Sequence, residues 1–155
     1  MKQTTGDPFN LERFVTAQTA VFDAALAELE AGRKRGHWMW FVFPQLRGLG
    51  HSAMTQFYAI SSVEEARAYL SHAVLGPRLV SCTNAVLECD ADSLREIFDT
   101  PDDMKFRSSM TLFALASDGN PVFQAALDRW CNGRMDDITV LILATPPTQG
   151  SSLFL

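Results

Sequence analysis

The residues best suited to chemistry lie in two clusters. The first is the stretch GHWMWFVFPQLRGLGHS, which brings His37, Trp38, Trp40, Gln45, Arg47 and Ser52 into one segment. The second is KFRSSMTLF, where Lys105, Ser108 and Ser109 stand at i, i+3 and i+4 and share a face if the segment is helical. Aromatic rings beside Arg or His grip flat or cationic groups, and a buried indole N–H wants an acceptor. Ser52 follows Gly48 and Gly50 and can N-cap a helix carrying Met54, Phe57 and Tyr58, whose exposed N–H groups would receive an anion beside Arg47 and His51. Taken together, these residues describe a site for a small anionic ligand, phosphate-bearing or nucleotide-derived. If the site is catalytic, His37 is the candidate acid or base because imidazole titrates near neutrality, with Lys105 or Arg47 stabilising charge. Each feature also has a plainer reading: a core plug of aromatics, an ordinary capped turn, and a solvated helix face with its hydroxyls bonded back to the backbone.

Complete catalytic signatures do not occur. GHSAM at 50–54 lacks the second glycine of G-x-S-x-G and no strand pattern precedes it, so Ser52 does not read as a hydrolase nucleophile. His37, His51 and His72 are far apart in the chain, no H-E-x-x-H is present, and Cys82, Cys89 and Cys131 have no ligand spacing, so no metal site is expected. GLG at 48–50 is a fragment of a dinucleotide fingerprint without its βαβ setting, and no cofactor is expected. An odd count of cysteines without a C-x-x-C pair suits a reducing compartment.

The net charge is −5, but the charges are segregated. Residues 31–60 carry Arg33, Lys34, Arg35 and Arg47 and no acid, whereas 88–103 carry Glu88, Asp90, Asp92, Glu96, Asp99, Asp102 and Asp103 against Arg95 alone. Duplex nucleic acid is not an expected partner, because such binding needs a broad positive field. A small anion fits the local excess. No apolar run reaches the length of a membrane span and no leader pattern opens the chain, so a cytoplasmic protein is expected.

The elements that must hold these clusters read as helices, an all-α array of about six to eight packed orthogonally. One helix is expected from Leu11 onward, with Asn10 as N-cap and Gly32 just past its end. Ser62 and Glu65 form a capping-box pattern before VEEARAYL; Pro77 opens LGPRLVSCTNAVLEC; Ser93 caps LREIF; Thr100-Pro101 and Asn120-Pro121 mark two more starts. Asp136 caps DITVLILA, whose β-branched residues would suit a strand, but an isolated strand has no partner and a buried helix is expected. Residues 37–46 follow neither helical nor strand period, and their aromatic and Val content leans toward extended chain. A chain of 155 residues suits one domain, 1–155, with a core over about 8–144 and a Pro/Gly/Ser-rich arm, 145–155, laid on the surface.

HWMWFVFPQLRGLGHS, FYAISSVEEARAYLSHAVLGPRL and DDMKFRSSMTLF together resemble the bacterial, plant and fungal family known as domain of unknown function 1810. The resemblance spans nearly the whole chain and implies a compact, mainly helical domain. It supplies no reaction. The calpastatin label sometimes attached to that family finds no support here, because a disordered inhibitor is poor in large apolar residues. Three classes of function stay open: a small-anion binding domain, an enzyme acting at such a site, and a protein–protein interaction module without catalysis. A pocket lined by Trp38, Trp40 and His37 with a converging cation favours the first two, and a sealed core under an exposed apolar patch favours the third.

Overall fold

In the computed structural model, which describes residues 6–145, the chain runs through α1 (Glu12–Thr19), α2 (Phe22–Glu30), α3 (Met39–Val42), α4 (Ala53–Phe57), α5 (Val63–Ser71), α6 (Leu75–Glu88), α7 (Leu94–Phe98), α8 (Asp102–Ala116), α9 (Val122–Cys131) and α10 (Asp137–Ala144). The all-α expectation holds, and seven of these helices have eight residues or more while α3, α4 and α7 have four or five. Among the described residues the only strand-like pairing is an isolated parallel bridge between Leu46 and Ile60.

The array is built around α8. Its Phe106, Ser109, Met110, Thr111, Leu112 and Phe113 are all sealed from solvent, so it is enclosed on nearly every side by α5, α7, α9 and α10. A second layer forms where α6 packs against α2, α5 and α9. Aromatic rings join the layers: Phe43 meets Phe98 and Phe106 edge-on at 6.0 and 5.0 Å, and Tyr69 lies between Phe14 and Phe113 at 5.1 and 5.3 Å. Burial raises the pKa of the Tyr69 hydroxyl, which accepts a hydrogen bond from Gln18 Nε2 at 3.0 Å. On α6, burial pushes the Cys82 thiol up to about 12, which makes it an inert core residue.

Most caps lie where the sequence places them. The hydroxyls of Ser62 and Ser93 accept the N–H of Glu65 and Glu96, and the Asp136 carboxylate accepts that of Thr139. Asn120 Oδ1 accepts the Val122 N–H at 3.0 Å, but Pro121 rather than Asn120 occupies the N-cap position of α9. Several expectations are corrected. The single helix expected from Leu11 onward is two, because α1 buries its face against α3 while α2 turns to α6, and the chain bends at Ala20–Val21 to serve both. Its cap is Asp7, whose carboxylate takes the Leu11 and Glu12 N–H groups at 2.7 and 3.0 Å, while Asn10 sits in the left-handed region. Thr100 does not cap α8; its hydroxyl donates to the Asp103 carboxylate, and Pro101 occupies the N-cap position. α10 is a helix but not a buried one: it rests on α8 at the edge of the array with Thr139 sealed, while Ile138 and Leu141 are 56% and 66% exposed. The arm, apart from Thr145, lies outside the described residues.

Within residues 37–46, Met39–Val42 form one helical turn, the chain bends at Phe43, and only Leu46 is strand-like, in the bridge with Ile60, so the leaning toward extended chain is corrected. Trp38, Met39, Phe41, Val42, Phe43 and Leu46 are buried, so the segment is a core plug along most of its length.

Candidate functional site

The plug delivers the chain into a loop closed at its neck. Arg47 N–H donates to the Ile60 carbonyl and Ile60 N–H to the Gln45 carbonyl, both at 2.8 Å, so residues 47–59 form a closed excursion containing α4. Gly48 adopts φ +102°, a conformation that L side chains rarely take, and so turns the chain directly after Arg47. Ser52 caps α4 as expected: its hydroxyl accepts the Thr55 N–H at 3.1 Å and donates to Thr55 Oγ1 at 2.8 Å. Gln56 donates to the His51 carbonyl at 3.0 Å and stiffens the turn. The far end is fixed by Arg13, whose guanidinium donates to the Phe57 and Ala59 carbonyls at 2.9 Å each and pairs with the buried Glu65 at 3.0 Å.

This loop encloses a surface groove of about 470 Å³ lined by Arg47, His51, Thr55 and Gln56, with the glycine backbone at Gly48 and Gly50. Among the described residues no carboxylate lines it. Arg47 has no ion-pair partner among the described residues. Thr55 is also a wall of a small neighbouring cleft containing Trp40, Gln45, Tyr58 and Lys105, whose volume of about 10 Å³ admits at most one water. Lys105 Nζ stands 6.0 Å from the centre of the Trp40 ring. The fold thus gathers Trp40, Gln45, Arg47, Ser52 and Lys105 around Thr55, although they come from two distant parts of the sequence.

The remaining expected site residues are not brought there. His37 is exposed and lines neither recess. Trp38 is sealed, and its indole N–H donates to Glu28 Oε1 at 2.9 Å, an oxygen that also takes the backbone N–H groups of Arg35 and Gly36. Burial by itself would raise the Glu28 carboxyl, but those donors and the charge of Lys34 outweigh it and hold its pKa below the ordinary value. Ser108 and Ser109 are buried, not on an open polar face: Ser108 Oγ bonds back to the Met104 carbonyl at 3.2 Å, and Ser109 Oγ has no partner among the described residues. His72 accepts the N–H groups of Val74 and Leu75 at the start of α6.

The acid-free stretch also acquires acids in space. Asp102 takes Lys34 at 3.0 Å and Lys105 at 3.5 Å, and Asp99 takes Arg33 at 3.5 Å. The basic 31–36 region is therefore largely matched by the acidic 88–103 region, which leaves Arg47 as the cation committed to the groove. Among the described residues no group of three His, Cys, Asp or Glu side chains could hold a metal ion. No helix there is long and apolar enough to cross a membrane.

A recess of about 870 Å³ that no motif in the sequence marks lies between α5, α6 and the start of α9, with Leu70, Val80 and Phe123 among its walls and Arg67 and Asp118 also lining it. Gly76 lets α6 approach the end of α5 at its edge, since an added Cβ would lie 2.2 Å from the Leu70 carbonyl oxygen.

The family described as "Protein of unknown function (DUF1810)" matches residues 8–143. The chain belongs to that family. A similar solved structure is that of the conserved hypothetical protein Rv1873 from Mycobacterium tuberculosis, a crystal structure at 1.38 Å; it is 56% identical, the match covers 90% of this chain and 100% of that one, and the TM-score is 0.88. No match is found among curated proteins. The helical architecture is thus shared with a solved protein.

Proposed function

We propose that this chain is a binding domain for a small phosphate-bearing ligand, held in the groove of Arg47 and His51. The observation that carries the reading is a concave surface containing a guanidinium and an imidazole, lined by no carboxylate among the described residues, in a protein of net charge −5. Arg47 offers a planar fork that matches a phosphate, and the Gly48 and Gly50 backbone allows close approach. Lys105, sharing Asp102 with Lys34, adds a residual positive charge next door. Because the neighbouring cleft is closed, the phosphate enters the groove and the remainder of a nucleotide or sugar lies across the surface. His37, Trp38, Ser108 and Ser109 have no part in this form of the site.

The test is a thermal-shift panel of inorganic phosphate, ribose 5-phosphate, AMP and ADP-ribose against ribose and adenosine. A ligand at about 100 times its Kd adds roughly 2.7 kcal/mol, or about 5–10 °C for a chain of this size. The shift should fall with added salt and vanish in Arg47→Ala. No shift with any phosphate, or shifts unchanged in both Arg47→Ala and His51→Ala, refutes the proposal.

A further inference from the structure

The large recess does not end where its first set of walls ends. Ser81, on the outer face of α6, also borders a second groove of about 430 Å³ whose walls include Glu30, Asn84 and Glu88. Pro77, Ser81, Asn84 and Glu88 follow one another at i, i+3 and i+4 spacing, so the two recesses form one open furrow along α6. From Pro77 to Glu88 the helix axis advances about 16 Å, the length of about five residues of extended chain. A furrow of this combined size exceeds what most small-molecule sites enclose.

Its two ends differ in chemistry. At the Pro77 end the half-buried Leu70 and Val80 form an apolar floor above the sealed Phe123, and Arg67 on α5 and Asp118 on the α8–α9 turn line the same recess, a donor and an acceptor from separate elements. At the Glu88 end stand the Glu30 and Glu88 carboxylates without a cation. None of Arg67, Asp118, Glu30 and Glu88 has an ion-pair partner among the described residues.

We propose that this furrow docks an extended segment of a protein partner, with a large apolar side chain over Leu70 and Val80 and Lys or Arg at the Glu30–Glu88 end. Charge complementarity selects a basic–apolar segment: an acidic one would bring like charges together at one end of the furrow. Main-chain groups of the segment meet Arg67, Asp118 and Ser81 along the way. This inference uses none of the residues of the phosphate groove and stands or falls separately.

The probe is a panel of fluorescein-labelled ten-residue peptides carrying a Leu-Phe pair and a Lys-Arg pair, separated by two, three or four Ser/Gly residues in both chain orders. Matched peptides with Glu-Glu in place of Lys-Arg complete it, and binding is read by anisotropy. At least one basic–apolar peptide should bind and its Glu-Glu match should not. Ser81→Trp fills the junction from an exposed position and should weaken binding at least tenfold without lowering the melting temperature. The double variant Glu30→Lys, Glu88→Lys should lose the basic peptide and gain the acidic one. The proposal is overturned if no peptide of the panel binds at millimolar concentration, if Ser81→Trp binds as the wild type does, or if charge reversal leaves the preference unchanged.

Discussion

Replacing Arg13 by Met should be among the most damaging single changes in this protein. The guanidinium donates to the carbonyls of Phe9, Asn10, Phe57 and Ala59 and pairs with Glu65, with only 10% of the Arg13 side chain and 3% of the Glu65 side chain exposed. Met fills a similar volume, so cavity formation contributes little; what remains is a buried carboxylate whose other donors are the Ser61 N–H and hydroxyl. Removing one partner of a buried pair costs about 3–5 kcal/mol, which lowers the melting temperature by about 6–20 °C in a chain of this length. Urea unfolding followed by circular dichroism gives the free energy, provided the slope with denaturant is unchanged. Adding Glu65→Gln to Arg13→Met removes the stranded charge and should recover about 1–2 kcal/mol despite being a second substitution in the core. A loss below about 1 kcal/mol for Arg13→Met, or a double variant as unstable as the sum of its parts, refutes the assignment of Arg13 as the clamp on the α4 loop.

Gly76→Ala, which in an exposed helix is worth up to about 1 kcal/mol of stabilisation, should here destabilise by about 1–3 kcal/mol, because the new methyl falls 2.2 Å from the Leu70 carbonyl oxygen and α5 and α6 must separate. Equal or higher stability in chemical denaturation would show that the helices can part without cost. The lowered pKa of Glu28 makes the 35–38 turn a source of acid sensitivity: its contribution is complete above the unfolded carboxyl pKa and is lost as pH falls through the lower folded one. Trp38→Phe removes one of the donors that depress that pKa, so the acid limb of its stability profile should flatten relative to wild type, and parallel profiles would contradict the account.

Much of the fold is legible in the sequence because it depends on neighbours. Ser62, Ser93 and Asp136 each cap a helix by accepting an N–H three residues ahead, and a contact that local is written in the order of the residues. Apolar periodicity likewise marks α5, α6 and α9, and the aromatic plug announces its burial by composition alone. Tertiary structure decides what depends on residues far apart. Nothing near Ala20 signals the bend between α1 and α2, since its cause is that the two helices face different partners. Trp38 and Trp40 are equivalent in sequence, yet Glu28 captures the first and Lys105 stands over the second. Arg33 and Lys34 read as unmatched cations until α8 and the α7–α8 turn bring Asp102 to Lys34 and Asp99 to Arg33. Charge pairing is set by distance in space, and separations of more than sixty residues close to 3.5 and 3.0 Å only when the core beneath them has packed.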